Sequence, residues 1–187
     1  MMELENRLFQ GSLFLCGFMG SGKTTIGKKA AERLDAAFID LDEVIVRRYG
    51  KPIAEIFKQE GEDYFRKAEW KTLKALLPQK KGIYALGGGS LHNQHVVDHI
   101  KLFGLLIFID TPFEILFERI RKNTSRPLLL DEDGNIKQDN RLREELMDLY
   151  QKRKPLYEQA QIKLGRDQYD SIEDLIDDLI KRASRHV

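Results

Sequence analysis

Two stretches of this chain hold residues whose types and spacing can do chemistry together. The first is GFMGSGKT, Gly17–Thr24, which matches G-x-x-x-x-G-K-[ST]. Glycines let the backbone curl until successive N–H groups face inward as an anion nest. A helix starting directly afterwards adds the positive potential of its N-terminus. In that pattern Lys23 reaches the β- and γ-phosphates of a nucleotide, and Thr24 offers its hydroxyl to Mg²⁺. The second stretch is FIDLDEV, Phe38–Val44, which sets Asp40 and Asp42 one residue apart. In an extended segment residues i and i+2 point to the same side, about 7 Å apart at ~3.3 Å per residue. One carboxylate can then meet a metal shell and the other an acceptor hydroxyl. Equally, Asp42 can be no more than the cap of a helix over EVIVRRY. The pair alone leaves both readings open.

Four more groups can stand on the acceptor side. Arg66 lies in GEDYFRKAE, with Glu69 one helical turn on, placed to orient its guanidinium. A fixed arginine is a bidentate clamp for a carboxylate, although a helix arginine is more often solvated. GGGS, Gly87–Ser90, follows the apolar run IYAL, and three glycines at a strand exit allow close backbone approach to a ligand. Arg126 in SRPLLL opens a polar segment, with Arg119 and Arg121 just before it. Cations there can meet transferring phosphate charge when a lid closes. Arg153 in QKRKPLY reads first as part of a solvated helix turn. His92, His95 and His99 lie on what reads as an exposed helix, with no cysteine beside them to complete a zinc set. Cys16, the single cysteine, reads as a buried strand residue.

These groups need elements to position them. Short, nearly all-apolar runs at Leu13–Cys16, Ala37–Ile39, Ile83–Leu86 and Leu105–Ile109 read as strands buried on both faces, and Ile162–Leu164 as a fifth. Helical patterns over Thr24–Leu34, Glu62–Leu77, Pro112–Lys122, Arg141–Ala160 and Ser171–Arg185 alternate with them. The alternation predicts an α/β domain with a parallel sheet and right-handed crossovers. Asn123–Asn140 fits neither pattern and reads as a lid or binding loop. The 187 residues suit a single domain, and 42% hydrophobic residues can build its core. A net charge of +1 gives no field for nucleic acid or a membrane surface. The lone cysteine fits a reducing compartment. No signal peptide is visible, and no apolar run approaches the ~20 residues of a membrane span. A cytoplasmic protein is expected, and a monomer.

In order, GFMGSGKTT, DLD, GEDYFR, GGGS, RPLL and KRKPLY resemble the shikimate kinases, over roughly Leu13 to Leu164. The phosphate loop alone is generic; its combination with DLD, FR, GGG and RPLL is specific among small P-loop kinases. The resemblance implies a three-layer, five-stranded parallel sheet flanked by helices, of P-loop NTPase type, with a lid. It implies one kinase domain over 1–187, with a substrate-binding helical region at about 42–77 and the lid at about 123–140. It implies ATP and shikimate as substrates, with Mg²⁺. Gly20, Ser21, Gly22, Lys23, Thr24 and Thr25 would hold the ATP phosphates. Thr24 and Asp40 would serve the metal. Asp42 would contact the ring hydroxyls and is a candidate general base. Arg66 and Arg153 match the pair that holds the shikimate carboxylate, Gly87, Gly88 and Gly89 the platform under it, and Phe57 and Phe65 the pocket walls. Arg126 matches the lid arginine at the transferring phosphate, and Arg119 the one packed against adenine. Leu86 departs from the family's common threonine before GGG, the segment after RPLL is longer than in compact members, and GRDQYDS (Gly165–Ser171) matches no pattern.

The implied reaction is ATP-dependent phosphorylation of the shikimate 3-hydroxyl. An aspartate near pKa 4 is a weak base at neutral pH, so orientation is the first role expected of Asp42. The rivals are another small-metabolite kinase, such as a gluconate kinase, and a non-catalytic nucleotide-binding module.

Overall fold

A computed structural model of the chain describes residues 11–122 and 137–186. Five strands form one sheet: β1 (Ser12–Cys16), β2 (Phe38–Asp40), β3 (Ile83–Ala85), β4 (Gly104–Asp110) and β5 (Ile162–Gly165). Their order is β2-β3-β1-β4-β5, and every pairing is parallel. Among the described residues seven α-helices flank the sheet: α1 (Lys23–Arg33), α2 (Leu41–Tyr49), α3 (Ile53–Leu76), α4 (Gln94–Lys101), α5 (Phe113–Arg121), α6 (Asp139–Tyr157) and α7 (Ile172–Ala183). The five apolar runs are the five strands, each within a residue or two of its expected limits.

The apolar runs form strands because both of their faces are covered. Phe14, Cys16, Tyr84, Leu106 and Phe108 belong to the core on one side of the sheet. Leu13, Leu15, Ile83, Ile107 and Ile109 belong to the core on the other. The alternation along β1, β3 and β4 is the period of two expected of a strand, with apolar residues at both phases because neither face meets water.

The helices depart more from expectation. α3 begins at Ile53, nine residues before the expected Glu62, and is interrupted at Gly61, whose φ of 82° is non-helical. Ile53, Ile56 and Phe57 supply an apolar stripe before the break, and Pro52 precedes the first turn. A residue with a side chain would be strained at that φ. The glycine thus divides the helix and hid its first arm from the periodicity. Pro112 caps α5 from outside rather than occupying its first turn. The residues from Asp139 belong to α6, not to the expected lid; residues 123–136 of that segment lie outside the described residues.

The parallel topology brings all five strand ends to one edge. β1 leads into the glycine-rich loop, β2 into DLD, β3 into GGGS, β4 into Asp110–Thr111 and β5 into Gly165–Arg166. Clefts beyond the carboxyl ends of strands are where such sheets bind ligands.

At the opposite, amino edge, Gly104 is paired with Ser12. A Cβ on Gly104 would run into the Ser12 carbonyl, which is backbone and cannot swing aside. Gly104→Ala should therefore lower the urea midpoint by the equivalent of about 1–3 kcal/mol, the usual range for overpacking. The slope of the transition should stay unchanged. An unaltered midpoint would show that β1 and β4 do not approach so closely.

Candidate functional site: a phosphate loop facing a two-arginine pocket

The glycine-rich loop is held open by backbone conformations that favour glycine. Gly17, Gly20 and Gly22 have φ of 139°, 81° and 95°. Behind the loop, a Cβ on Gly17 would come within 2.7 Å of the Ile109 carbonyl. Thr111 donates a hydrogen bond of 3.4 Å to the Ser21 carbonyl, and Phe18, fully buried, packs edge-on against Tyr150 at 5.5 Å. The loop therefore rests on β4 and α6. α1 starts at Lys23 with no side-chain cap and no acidic residue in its first turn, which leaves its amide groups and dipole available to an anion. The Lys23 ammonium donates to the carbonyls of Gly17 (2.9 Å) and Phe18 (3.0 Å) and to Ser21 Oγ (3.4 Å). Arg119 donates to the Gly20 carbonyl at 2.9 Å.

Asp40 divides its two oxygens. Oδ2 accepts the Thr24 hydroxyl at 2.9 Å. Oδ1 accepts the backbone N–H groups of Asp42 (3.1 Å) and Glu43 (3.4 Å), so Asp40 is the N-cap of α2. The helix cap that one of the two readings gave to Asp42 is supplied two residues upstream by Asp40, where the chain still has extended dihedrals. Asp42 falls in the first turn of the helix with its carboxyl directed into the cleft. A Cβ on Gly87 would lie 2.8 Å from Asp42 Oδ1 and 3.0 Å from Glu69 Oε1. Burial pushes the Asp42 carboxyl up to about 6, and the negative charges of Glu69 and Asp40 add to the rise, while Lys23 and Arg66 pull it back. The reason is that an apolar surround and like charges both disfavour the ionised form.

Thr24 Oγ1 and Asp40 Oδ2 make a pair of hard oxygen donors at the foot of the phosphate loop. Mg²⁺ usually takes one or two protein oxygens and fills its octahedron with water and phosphate. The donor set suits that cation.

The acceptor side is built on α3, the GGGS turn and α6. Arg66 is largely buried, its side chain 14% exposed, and its Nη1 donates to Glu69 Oε2 at 2.7 Å. Glu62 holds its other edge at 3.1 Å. The Phe57 and Phe65 rings lie tilted to one another with centroids 4.5 Å apart under this guanidinium, 5.8 and 5.2 Å from its carbon. Glu69 is 2% exposed, and its other oxygen accepts the Ser90 hydroxyl at 2.5 Å. Arg153 is not on a solvated turn: it is half-buried, donates to the Gly88 carbonyl at 3.1 Å, and lies 6.0 Å over the Phe18 ring. Burial lowers its pKa. The two cations differ, because Arg66 has two carboxylate partners and Arg153 bonds a carbonyl.

The three glycines serve three different approaches. Gly87 faces Asp42, Glu69 and Ser90; a Cβ on Gly88 would lie 3.2 Å from the Met19 amide nitrogen; one on Gly89 would run into the Arg66 guanidinium. None of them has a positive φ. They are required by crowding from the protein's own groups rather than by turn geometry.

One cleft of about 440 Å³ is lined by the loop residues Gly20–Thr25, by Asp40, Asp42, Gly87 and Gly88, and by Arg119. Phe57, Phe65, Arg66, Gly89 and Arg153 do not line this cleft; they stand behind the GGGS turn, with Arg153 bonded to the Gly88 carbonyl and Arg66 against Gly89. Arg126 lies outside the described residues. Arg121 is not part of the site: it pairs with Glu118 and Asp139. Leu86, in place of a hydroxyl residue, lines the cleft and donates its N–H to the Leu15 carbonyl. Arg166 and Ile172 line the cleft from the GRDQYDS side and had no motif to announce them; the only sequence signal was their position just after the fifth strand. The histidines form no three-ligand metal group among the described residues. His95 and His99, on α4, lean edge-on against Trp70. Burial pushes the Cys16 thiol up to about 12, consistent with an inert strand residue.

With this geometry in place, comparison with known proteins gives a consistent answer. A family model described as shikimate kinase matches residues 19–184. A shikimate kinase of Persephonella marina is 36% identical over 168 residues, covering 88% of this chain and 96% of that one. The crystal structure of shikimate kinase from Bacteroides thetaiotaomicron aligns with a TM-score of 0.83 at 31% identity, over 92% of this chain and 97% of that one. The structure of shikimate kinase from Acinetobacter baumannii in complex with shikimate aligns with a TM-score of 0.83 at 30% identity, over 97% and 96%. A gluconokinase from Sinorhizobium meliloti, at 15% identity and a TM-score of 0.54, shares the fold alone.

The raised Asp42 pKa has a consequence for stability. The unfolded chain releases this proton near the ordinary 3.8 and the folded one near 6. Stability thus falls as pH rises through that window, and at neutral pH the ionised carboxylate costs the fold part of its stability. Asp42→Asn should stabilise the ligand-free protein by about 1–3 kcal/mol at pH 7.5, since a tenfold change in proton affinity is worth about 1.36 kcal/mol. The gain should vanish below pH 4. Urea unfolding at the two pH values checks it; equal gains at both would mean that charge is not the cause.

Proposed function

The chain belongs to the shikimate kinase family, and we propose how its cleft moves the γ-phosphoryl group of ATP to the 3-hydroxyl of shikimate. The observation that carries the assignment is Asp42: a half-buried carboxyl in the cleft between the phosphate loop and the two arginines, with its pKa raised to about 6. Phosphoryl transfer asks mainly for positioning and for stabilisation of charge on the transferring group.

Lys23, the loop amides of Gly20–Thr25 and the α1 N-terminus hold the ATP phosphates, and Arg119 flanks the adenine. Thr24 and Asp40 hold Mg²⁺, which when bound neutralises phosphate charge. The shikimate carboxylate is taken by Arg66 and Arg153. The ring lies on the Gly87–Gly89 platform between the phenylalanine walls. The region at about 42–77 thus forms the acceptor side, and Arg126 is assigned to the transferring phosphate by its motif. Asp42 accepts a hydrogen bond from the acceptor hydroxyl and so aims its oxygen at the γ-phosphorus. A carboxylate near pKa 6 is also a stronger base than an ordinary aspartate, so proton acceptance joins orientation as its role. All of these groups come from one chain, so the form proposed is a monomer. No helix among the described residues is long and apolar enough to cross a membrane, and the proposed location is the cytoplasm.

ADP release should be stimulated by shikimate and not by gluconate or nucleoside monophosphates; stimulation by gluconate instead would overturn the acceptor assignment. Asp42→Asn should lower kcat by about 10²–10⁴-fold, the usual range for a lost acid–base group, with ATP affinity retained. In the wild type, kcat/KM for shikimate should fall below about pH 6 as Asp42 protonates. Asp40→Ala should act differently. It removes a helix cap worth about 0.5–2 kcal/mol along with the Thr24 partner, so it should lose stability as well as turnover. Equal melting temperatures in Asp40→Ala and wild type would remove Asp40 from the structural role given to it.

A further inference from the structure

The Gly88 carbonyl receives two donors from one helix. Arg153 Nη1 reaches it at 3.1 Å, and the Tyr157 hydroxyl donates to it from one turn further along α6. Tyr157 is 1% exposed, with its ring 5.4 Å from that of Phe108. It does not line the cleft and belongs to no ligand-binding group described above. Gly88 is also where the acceptor platform meets the phosphate loop, because its backbone abuts Met19. Gly88 therefore touches both the phosphate loop and the acceptor side of the cleft.

The two donors have different freedom. No carboxylate among the described residues forms an ion pair with Arg153, whose partners are the Gly88 carbonyl and the Tyr157 hydroxyl, whereas Arg66 has two carboxylates. A half-buried guanidinium bonded to a neutral carbonyl is poised to turn to an anion, since a carboxylate adds an opposite full charge and a bidentate fit that a carbonyl lacks. Once it turns, it leaves Gly88. Gly88 is half-buried and lines the cleft; once an acceptor covers it, a carbonyl left without any donor is costly, and that cost would weaken acceptor binding. Burial raises the Tyr157 pKa, so its hydroxyl stays protonated and donating across the working pH range.

We propose that Tyr157 is a positioning residue that keeps the Gly88 carbonyl bonded when Arg153 leaves it for the acceptor's carboxylate, so that the platform holds its place on the phosphate loop during binding. The inference rests on the assignment of Arg153 to the shikimate carboxylate.

Tyr157→Phe keeps the ring and removes the donor. In the ligand-free protein Arg153 still serves the carbonyl, so the melting temperature should change by no more than about 2 °C. Shikimate affinity by calorimetry should fall about tenfold, and KM for shikimate should rise to match. KM for ATP should stay within about twofold and kcat within about threefold. In an Arg153→Met background the effect should move: the same Tyr157→Phe change now orphans the carbonyl in the free protein, so it should lower the melting temperature clearly and leave the already weak shikimate affinity unaltered. Unchanged shikimate affinity in the single Tyr157→Phe variant would overturn the proposal, whatever happens to stability. So would a loss of ATP and shikimate affinity in equal measure, which marks a merely structural role. Failure of wild-type protein to bind shikimate would instead sink the functional assignment on which the proposal rests.

Discussion

The site depends on the division of Asp40 between two tasks. One oxygen takes the Thr24 hydroxyl on the phosphate-loop helix, and the other takes the first amides of the next helix. That single side chain joins the nucleotide half of the cleft to the acceptor half. It also starts α2 directly where the strand ends, which carries Asp42 into the first turn with its carboxyl available. A cap supplied by Asp42 itself would have tied up that carboxyl on backbone amides. The like charges at this point are tolerated because Lys23 and Arg66 offset them, but not fully. What remains uncompensated is the raised pKa, a property useful to a proton acceptor and costly to the fold.

Around this joint the cations are arranged unequally. Arg66 is fixed from two sides by Glu62 and Glu69, and lies over Phe57 and Phe65. Arg153 is held by a carbonyl and faces Phe18. One is a preset wall and the other a cation with an exchangeable partner. Both reach the GGG turn, where every glycine is crowded by a protein group. The turn works as a shared surface on which the phosphate loop, the acid and the two arginines all rest, so small displacements there reach both substrates.

Much of this was legible before the structure. The phosphate loop has a pattern set by backbone chemistry, and the strands showed as apolar runs because both sheet faces are covered. Spacing singled out Asp40 and Asp42 as a pair, but the same-side geometry expected of an extended segment does not hold, because β2 ends at Asp40 and Asp42 lies in the first turn of α2. The motif set placed Arg66, Gly87–Gly89 and Arg153. What could not be read came from tertiary packing. Which aspartate caps the helix turns on where β2 stops. Arg153 looked solvated because its neighbours in sequence are polar, while its neighbours in space are Phe18 and Gly88. The first arm of α3 was hidden by the break at Gly61. Arg166 and Ile172 reach the cleft only because β5 ends at the same sheet edge as the other strands. Tyr157 has the sequence context of a core aromatic, and its hydroxyl is what matters.

At the junction of the two substrate sites, burial and neighbouring charge have retuned Asp42, and the proposed chemistry turns on that. The direct measurement is a carbon-13 NMR titration of the Asp42 side-chain carboxyl in the ligand-free protein, with Asp42→Asn used to assign the resonance. The expected midpoint is about 6. A midpoint near the ordinary value of 3.8 would contradict it, because Asp42 would then be a solvated carboxylate with no special place between the phosphate loop and the arginines.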